Sequence, residues 1–410
     1  MPRHPRRSTL AVLVVLSLGP GSALPDTGTP TLDLRYRHES VDQDGFAQDA
    51  HADTLRVRAG YATPAWHGWS ALAEADGVLG LGDGRYNDPP NGRPQYPVIA
   101  DRAGAEINQA LLRYVAGKNS ATLGRQRINL GNQRFVGGSA WRQNEQTYDG
   151  VRLQLAPAEP LSLDYSYVDG INTVFGPDDS AASTRANPSD IGGHSHLLQA
   201  GWRIAPALAA SAYHYRLDLD GIAVTATAPP GTLDSRTTGL RLEGAQGGWS
   251  YAAEYARQRE LDGNPWTLDS RYLLAELGWK VRGSTLKAGY ESLGGGEGSG
   301  NRAFQTPLAT KHAFQGWADV FLTTPAQGVD DLYAGATVPL AGGSLQAWYH
   351  DFSPQRGGGS YGDEIDLSYA HPVPGVKGLA GLLKLARYRS DDRSHTADTG
   401  KLWLQLQYTY

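Results

Sequence analysis

A period-two alternation of apolar and polar residues, restarted again and again between turn-forming stretches, runs through this chain. Leu32, Leu34 and Tyr36 alternate with Asp33, Arg35 and Arg37; Leu161, Leu163, Tyr165 and Tyr167 alternate with Ser162, Asp164 and Ser166. Leu286, Ala288 and Tyr290 alternate with Lys287, Gly289 and Glu291, and Ile365, Leu367 and Tyr369 with Glu364, Asp366 and Ser368. Successive side chains of a strand point to opposite faces, so each segment has one greasy and one wettable face. Soluble sandwiches alternate too, so alternation alone does not choose between them and a membrane barrel.

Three further observations choose. The segments are about 8–11 residues long, the length of a tilted strand crossing a bilayer. Their apolar faces end in amphipathic rings, among them Tyr36, Tyr61, Trp69, Tyr114, Tyr165, Tyr167, Trp202, Trp279 and Tyr408, which suit the headgroup level. Connections alternate between short ones, such as Arg282–Gly283 and Ala341–Gly343, and long polar ones, such as Gly77–Ala105 and Gly294–Val329. The expectation is an all-β fold: a transmembrane antiparallel β-barrel, most simply of 18 strands, with short periplasmic turns and long external loops. Expected segments run from 31–39 and 54–63 through 69–76 and 121–130 to 400–410. In 121–130, Arg125 and Arg127 share a parity with Leu123, which predicts a bulge or local departure there. Leu402, Leu404, Leu406, Tyr408 and Tyr410 share one face of the last segment. A terminal aromatic of this kind looks like a signal read by the bacterial barrel-assembly machinery.

The N-terminus reads as an address. Arg3, Arg6 and Arg7 precede the apolar run Leu10–Leu18, followed by Gly19, Pro20, Gly21, Ser22 and Ala23. That is the order of a secretory signal peptide, so residues 1–23 are expected to be removed and 24–410 to form one barrel domain. No later apolar run approaches the roughly 20 residues of a membrane helix. The chain has no Cys, which excludes disulfides, thiolate metal sites and cysteine nucleophiles. A formal charge of -5, or about -8 once three arginines leave, does not suggest a nucleic-acid partner.

If apolar side chains face lipid, their alternates line an aqueous bore, because about 18 strands enclose more space than side chains fill. Arg35, Arg37, Arg56, Arg58, Arg113 and Arg152 then point inward, with Arg125 and Arg127 added despite their parity. Inward acids include Glu39, Glu74, Asp76, Asp164, Glu254, Glu291, Glu364 and Asp366. Arginine outnumbers lysine 30 to 7 in an acidic chain. Rings of charge set ion selectivity in pores, and the planar arginine fork suits carboxylates. Arginines that merely pair with neighbouring acids are the alternative. Gly131–Gln146, with Arg134, Trp141 and Arg142, is expected to fold inward and narrow the bore. Ala303–Thr324, with His312, Phe314, Trp317, Asp319 and Phe321, is expected to pack on itself rather than stack on sugars.

Several strings resemble the alginate export family of outer-membrane porins. They are Gly124-Arg-Gln-Arg-Ile-Asn129, Asn132-Gln-Arg-Phe-Val-Gly-Gly138, Trp141-Arg-Gln-Asn-Glu-Gln-Thr-Tyr-Asp149, Tyr96-Pro-Val-Ile-Ala-Asp101 and the stretch Ala303 to Asp319. The resemblance implies an 18-stranded barrel with an arginine-rich lumen passing a polyuronate outward. It places lumenal arginines at Arg125, Arg127, Arg134 and Arg142. The late turn Ala370–Gly378 is short, where the dedicated exporter carries a long plug loop, so a general pore for small anions or other polar solutes stays open.

Catalytic readings lack a constellation. Gly358-Gly-Ser-Tyr-Gly362 matches a nucleophile-elbow string, but no helix follows it. Asp330 and Asp331 are adjacent and so point to opposite faces of a strand; His194 and His196 merely flank Ser195. The expectation is therefore a passive channel with no catalytic residues, metal or cofactor. Its partners would be outer-membrane lipid, an anionic saccharide or small polar solute, and the assembly machinery through Tyr410. A membrane-embedded barrel enzyme and a soluble carbohydrate-binding β protein are the competing classes; the latter would be released without detergent.

Overall fold

The computed structural model describes residues 28–89, 91–176 and 185–410; the expected signal peptide lies outside them. The chain is one closed antiparallel sheet of 18 strands. In order they are β1 (Thr29–Gln43), β2 (Ala50–Ala62), β3 (Trp69–Arg85), β4 (Gly104–Ala116), β5 (Asn119–Gln126) and β6 (Thr147–Ala158). Then come β7 (Leu161–Asn172), β8 (Asp190–Ala205), β9 (Leu208–Leu217), β10 (Ser235–Gln246), β11 (Trp249–Glu260) and β12 (Asp269–Val281). The last six are β13 (Ser284–Gly294), β14 (Gly328–Leu340), β15 (Gly343–Ser353), β16 (Gly362–Pro372), β17 (Leu379–Ser390) and β18 (Thr399–Thr409). Each sequence neighbour is a spatial neighbour, and β1 closes on β18 from Asp33 opposite Thr409 to Gln43 opposite Thr399. Closure leaves no unpaired edge, which a lipid environment requires.

The alternation translates directly into two surfaces. Leu123, Leu332 and Ile365 are 58–59% exposed, and Tyr61, Trp69, Trp202, Trp249 and Trp279 also face out. Their alternates Arg37, Glu39, Arg56, Glu364 and Asp366 are buried inside. Connections follow the expected rhythm, with turns of two to six residues at one rim and loops of six or more at the other. The tightest use positive backbone angles: Gly247 and Gly248 sit at φ +61° and +87°, as a two-residue hairpin turn demands.

The strands overrun their expected ends at the long-loop rim. β3 continues through Gly77–Arg85, which its glycines suggested was loop, because the backbone ladder with β2 extends beyond the apolar band. β5 is shorter than expected and stops at Gln126, where Gly124 takes φ +111°.

The interior departs from a purely wettable surface. Toward the long-loop rim, inward-facing Tyr213, Tyr215, Tyr272, Phe352, Tyr388 and Trp403 are at most 5% exposed. They pack on two loops that fold into the barrel, 127–146 and 295–327. Phe135 meets Tyr213 at 5.4 Å and Tyr272 at 5.1 Å between ring centres, and Phe321 meets Phe352 at 4.7 Å. The 295–327 loop therefore does not pack mainly on itself; its aromatics cover the barrel wall and the other loop. The two loops are joined by Gly137 N–H to Leu308 O (2.9 Å) and Thr310 N–H to Gln133 O (3.0 Å).

Candidate functional site

β1 and β2 supply the centre of the site. Their register sets Arg35 directly opposite Arg56, with Arg37 and Arg58 one step away on either side. All four point inward because their neighbours Tyr36, Val57 and Ala59 take the lipid parity. The 127–146 loop drapes over them and its carbonyls act as acceptors. Arg35 donates to the carbonyls of Ala140, Trp141 and Arg142 at 3.2–3.3 Å and to Gln407. Arg37 donates to Trp141 O at 2.5 Å and pairs with Asp101 at 3.2 Å, its guanidinium 4.2 Å from the Trp141 ring centre. Arg56 is held by Asp33 and by Gln143 O. Arg58 pairs with Asp76 and Glu145.

The loop contributes its own arginines. Arg127 lies past the end of β5 and turns inward onto Glu74 and Glu145. Arg134 crosses the bore to Glu291 on β13 at 2.7 Å and to Thr306 at 3.2 Å. Arg142 bridges Glu39 on β1 (2.9 Å) and Asp319 of the other loop (3.2 Å). Nearer the short-turn rim, Arg113 on β4 and Arg152 on β6 flank Thr122 of β5, and Arg152 pairs with Asp164 at 2.6 Å. Side chains here are less covered: Asp164 is 19% exposed, and Lys287 beside Glu276 is 33% exposed. Glu254 sits on the far wall, taken up by Arg241 at 2.8 Å and the Tyr213 hydroxyl at 2.7 Å.

Arg125 does not join this set. It stands opposite outward-facing Ala110 and pairs with Asp149 at 2.8 Å on the outer face, its parity with Leu123 intact. The departure predicted for this segment falls one residue later, where the strand ends and frees Arg127 to turn.

The charge distribution is lopsided around the ring. Arginines gather on β1, β2, β4 and β6; Glu254, Glu291, Asp331, Glu364 and Asp366 lie on β11, β13, β14 and β16, the opposite arc. The loops span the gap. Trp317 N–H and Ala318 N–H donate to Asp366 and Glu364 at 3.1 and 2.6 Å. Burial alone would raise the Glu145 carboxyl, but its hydrogen bond to Arg127 and the charges of Arg127 and Arg58 hold it down at about 2. Burial pushes His312 down to about 3 despite Asp319 at 2.8 Å, so the ring is neutral. His312 stacks on Trp141 at 4.5 Å, and the Lys384 ammonium lies 3.8 Å from the Trp317 ring centre.

Sequence reasoning named Asp101 and Asp319 only within the strings above, without a role, and missed Lys384 and Lys401; all four anchor the loops to the wall. It also missed the inward aromatics. Tyr213, Tyr215 and Leu217 carried a signal, since they alternate with His214 and Arg216, but on the parity that polar residues hold elsewhere.

The family model for alginate export matches residues 31–314. Among solved structures, Acinetobacter baumannii OccAB4 superposes with a TM-score of 0.73 at 15% identity, covering 94% of this chain and 98% of that one. Pseudomonas aeruginosa OpdO gives 0.70 at 18% identity, with 94% and 97% covered. Pseudomonas aeruginosa OpdL gives 0.65 at 19% identity, with 93% and 98% covered. At these identities the likeness is one of fold, that of outer-membrane porins. No curated protein matches the sequence. With two-thirds of its length matched by the family and its whole barrel matched in fold, the chain belongs to the alginate export family and is a porin-like outer-membrane β-barrel.

Proposed function

We propose that this barrel is a passive, anion-preferring channel of the outer membrane. It conducts uronate saccharides or small anionic solutes along the arginine wall, without catalytic turnover. One observation carries the reading: Arg35 and Arg56 are directly opposed on neighbouring strands, both inward, and Arg35 has no ion-pair partner among the described residues. Like charges facing across a strand pair are destabilising, so a fold that keeps them has a use for concentrated positive charge. The forked donors of arginine match carboxylates. Arg113 and Arg152 continue the wall toward the short-turn rim, with Arg37, Arg58, Arg127, Arg134 and Arg142 around the loop and Asp164 and Glu254 as counter-charges. Lipid surrounds the barrel, and Tyr410, whose N–H closes onto Leu32 O at 2.9 Å, is what the assembly machinery reads.

A second reading, a pore for small polar solutes of either charge, is favoured by the ion pairs that neutralise most of these arginines, Arg152–Asp164 above all. Reversal potentials in a potassium chloride gradient separate the two. The first expects anion preference that falls in R35Q and R56Q; preference for cations would end it, and an unchanged potential in both variants would make these arginines structural.

A further inference from the structure

The outer surface carries a basic belt that the channel reading does not use. On β8 to β12 the register aligns His196, Arg216, Arg236 and Arg259 in one row, each directly opposite the next. One step nearer the membrane, His214, Thr238, Arg257 and Arg271 form a second row. All face outward, since their neighbours Tyr215, Ser235, Thr237, Gln258 and Ser270 are buried on the inner side. Leu198 stands beside His214 in that second row, and just below lie Leu240, Tyr255 and Leu273; all four are 44–49% exposed on the lipid face. The belt therefore stands where hydrocarbon gives way to headgroups, at the long-loop rim. Five guanidiniums meet two carboxylates: Arg216 pairs with Asp218 at 3.3 Å, and Arg257 with Asp269. Arg236, Arg259 and Arg271 make no hydrogen bond or ion pair among the described residues and are exposed. The arc from β14 to β16 at the same rim is the opposite, with Asp330, Asp351 and Asp363 outward.

We propose that this belt binds the phosphates of a phosphorylated glycolipid in the outer leaflet. Strands lie about 4.8 Å apart, so Arg216, Arg236 and Arg259 are rooted within roughly 10 Å of one another. That span lets several guanidinium forks close on one headgroup with charge-assisted hydrogen bonds. The apolar band beneath receives the acyl chains of the same molecule. A phosphate between them also removes the repulsion of directly opposed like charges.

The test uses the full mature barrel purified in a non-ionic detergent. Bisphosphorylated glycolipid, the same lipid after dephosphorylation, and millimolar inorganic phosphate are added separately. Bound lipid is counted by native mass spectrometry and the unfolding midpoint followed. The wild type should retain the phosphorylated lipid at least tenfold better than R236Q/R259Q/R271Q, and dephosphorylated lipid should bind both alike. Heat-modifiable migration on gels reports folding of the triple variant; should it misfold, R236Q and R259Q alone must each show partial loss. Equal retention by wild type and variants overturns the proposal. So does wild-type retention of the dephosphorylated lipid as strong as that of the phosphorylated one, or stabilisation by inorganic phosphate as large as that by lipid. Ion selectivity stays at the wild-type value in these variants, because the side chains face away from the bore, so this result and that of the channel proposal are read independently.

Discussion

The buried pair between Arg134 and Glu291 should act as the latch that holds the 127–146 loop across the bore. Both side chains are at most 4% exposed and 2.7 Å apart. In Arg134→Met, Glu291 keeps only the Tyr272 hydroxyl at 2.8 Å. Removing one partner of a buried ion pair costs about 3–5 kcal/mol, because the remaining charge stays desolvated. Here the cost falls on the docked loop alone, since withdrawing the loop lets water reach Glu291. At 1.4 kcal/mol per tenfold, the docked-to-withdrawn ratio falls by roughly 10²- to 4 × 10³-fold. Single-channel recordings in planar bilayers should show a larger mean conductance for R134M, and protease added from the long-loop side should cut within 127–146. R134M/E291L, which leaves no orphaned charge, should recover most of the docked state. Wild-type conductance and proteolysis in R134M, or a double variant no better than the single, would refute the latch.

Acidification should loosen the same loops. Glu145 sits at about 2 rather than 4.5, so its contribution to docking is complete above the ordinary carboxylate value and is lost as pH falls from there toward 2. His312 sits at about 3 rather than 6.5 and takes up a proton more readily when released, so docking also weakens as pH falls from 6.5 toward 3. Conductance should therefore rise below about pH 6, with H312Q removing the upper part of the rise; a flat profile from neutrality to pH 4 contradicts this. Gly124→Ala adds a methyl 2.3 Å from Ala110 O at φ +111°, and positive-φ strain alone costs about 1–3 kcal/mol. The folded fraction on semi-native gels should drop for G124A and stay near wild type for G77A, which lies outside the positive-φ region and whose added methyl comes no closer than 4.0 Å, to Val57 O.

The barrel was legible because lipid leaves a chain little choice. Every strand must close its ladder and turn apolar side chains outward, so a sequence such as Leu161–Tyr167 writes its own two faces. The bore was less legible, because its side chains answer to the loops and those contacts are remote in sequence. Arg134 finds Glu291 157 positions away, and no local pattern announces it. Parity, where obeyed, was the better guide: it kept Arg125 on the outer face against the resemblance that placed it inside. The inward tyrosines of β9 failed the same rule, since they face a folded loop rather than water and the wall there is apolar for that reason.

The seam between Gln133–Gly137 and Leu308–Thr310 makes one shutter of what the chain lays out as two separate leaves. Neither leaf can retract without tearing backbone bonds from the other, so the aperture has few intermediate settings. Current through a single barrel should jump between discrete levels instead of drifting, and a change at Thr310 should be felt at Gln133 as strongly as one made there.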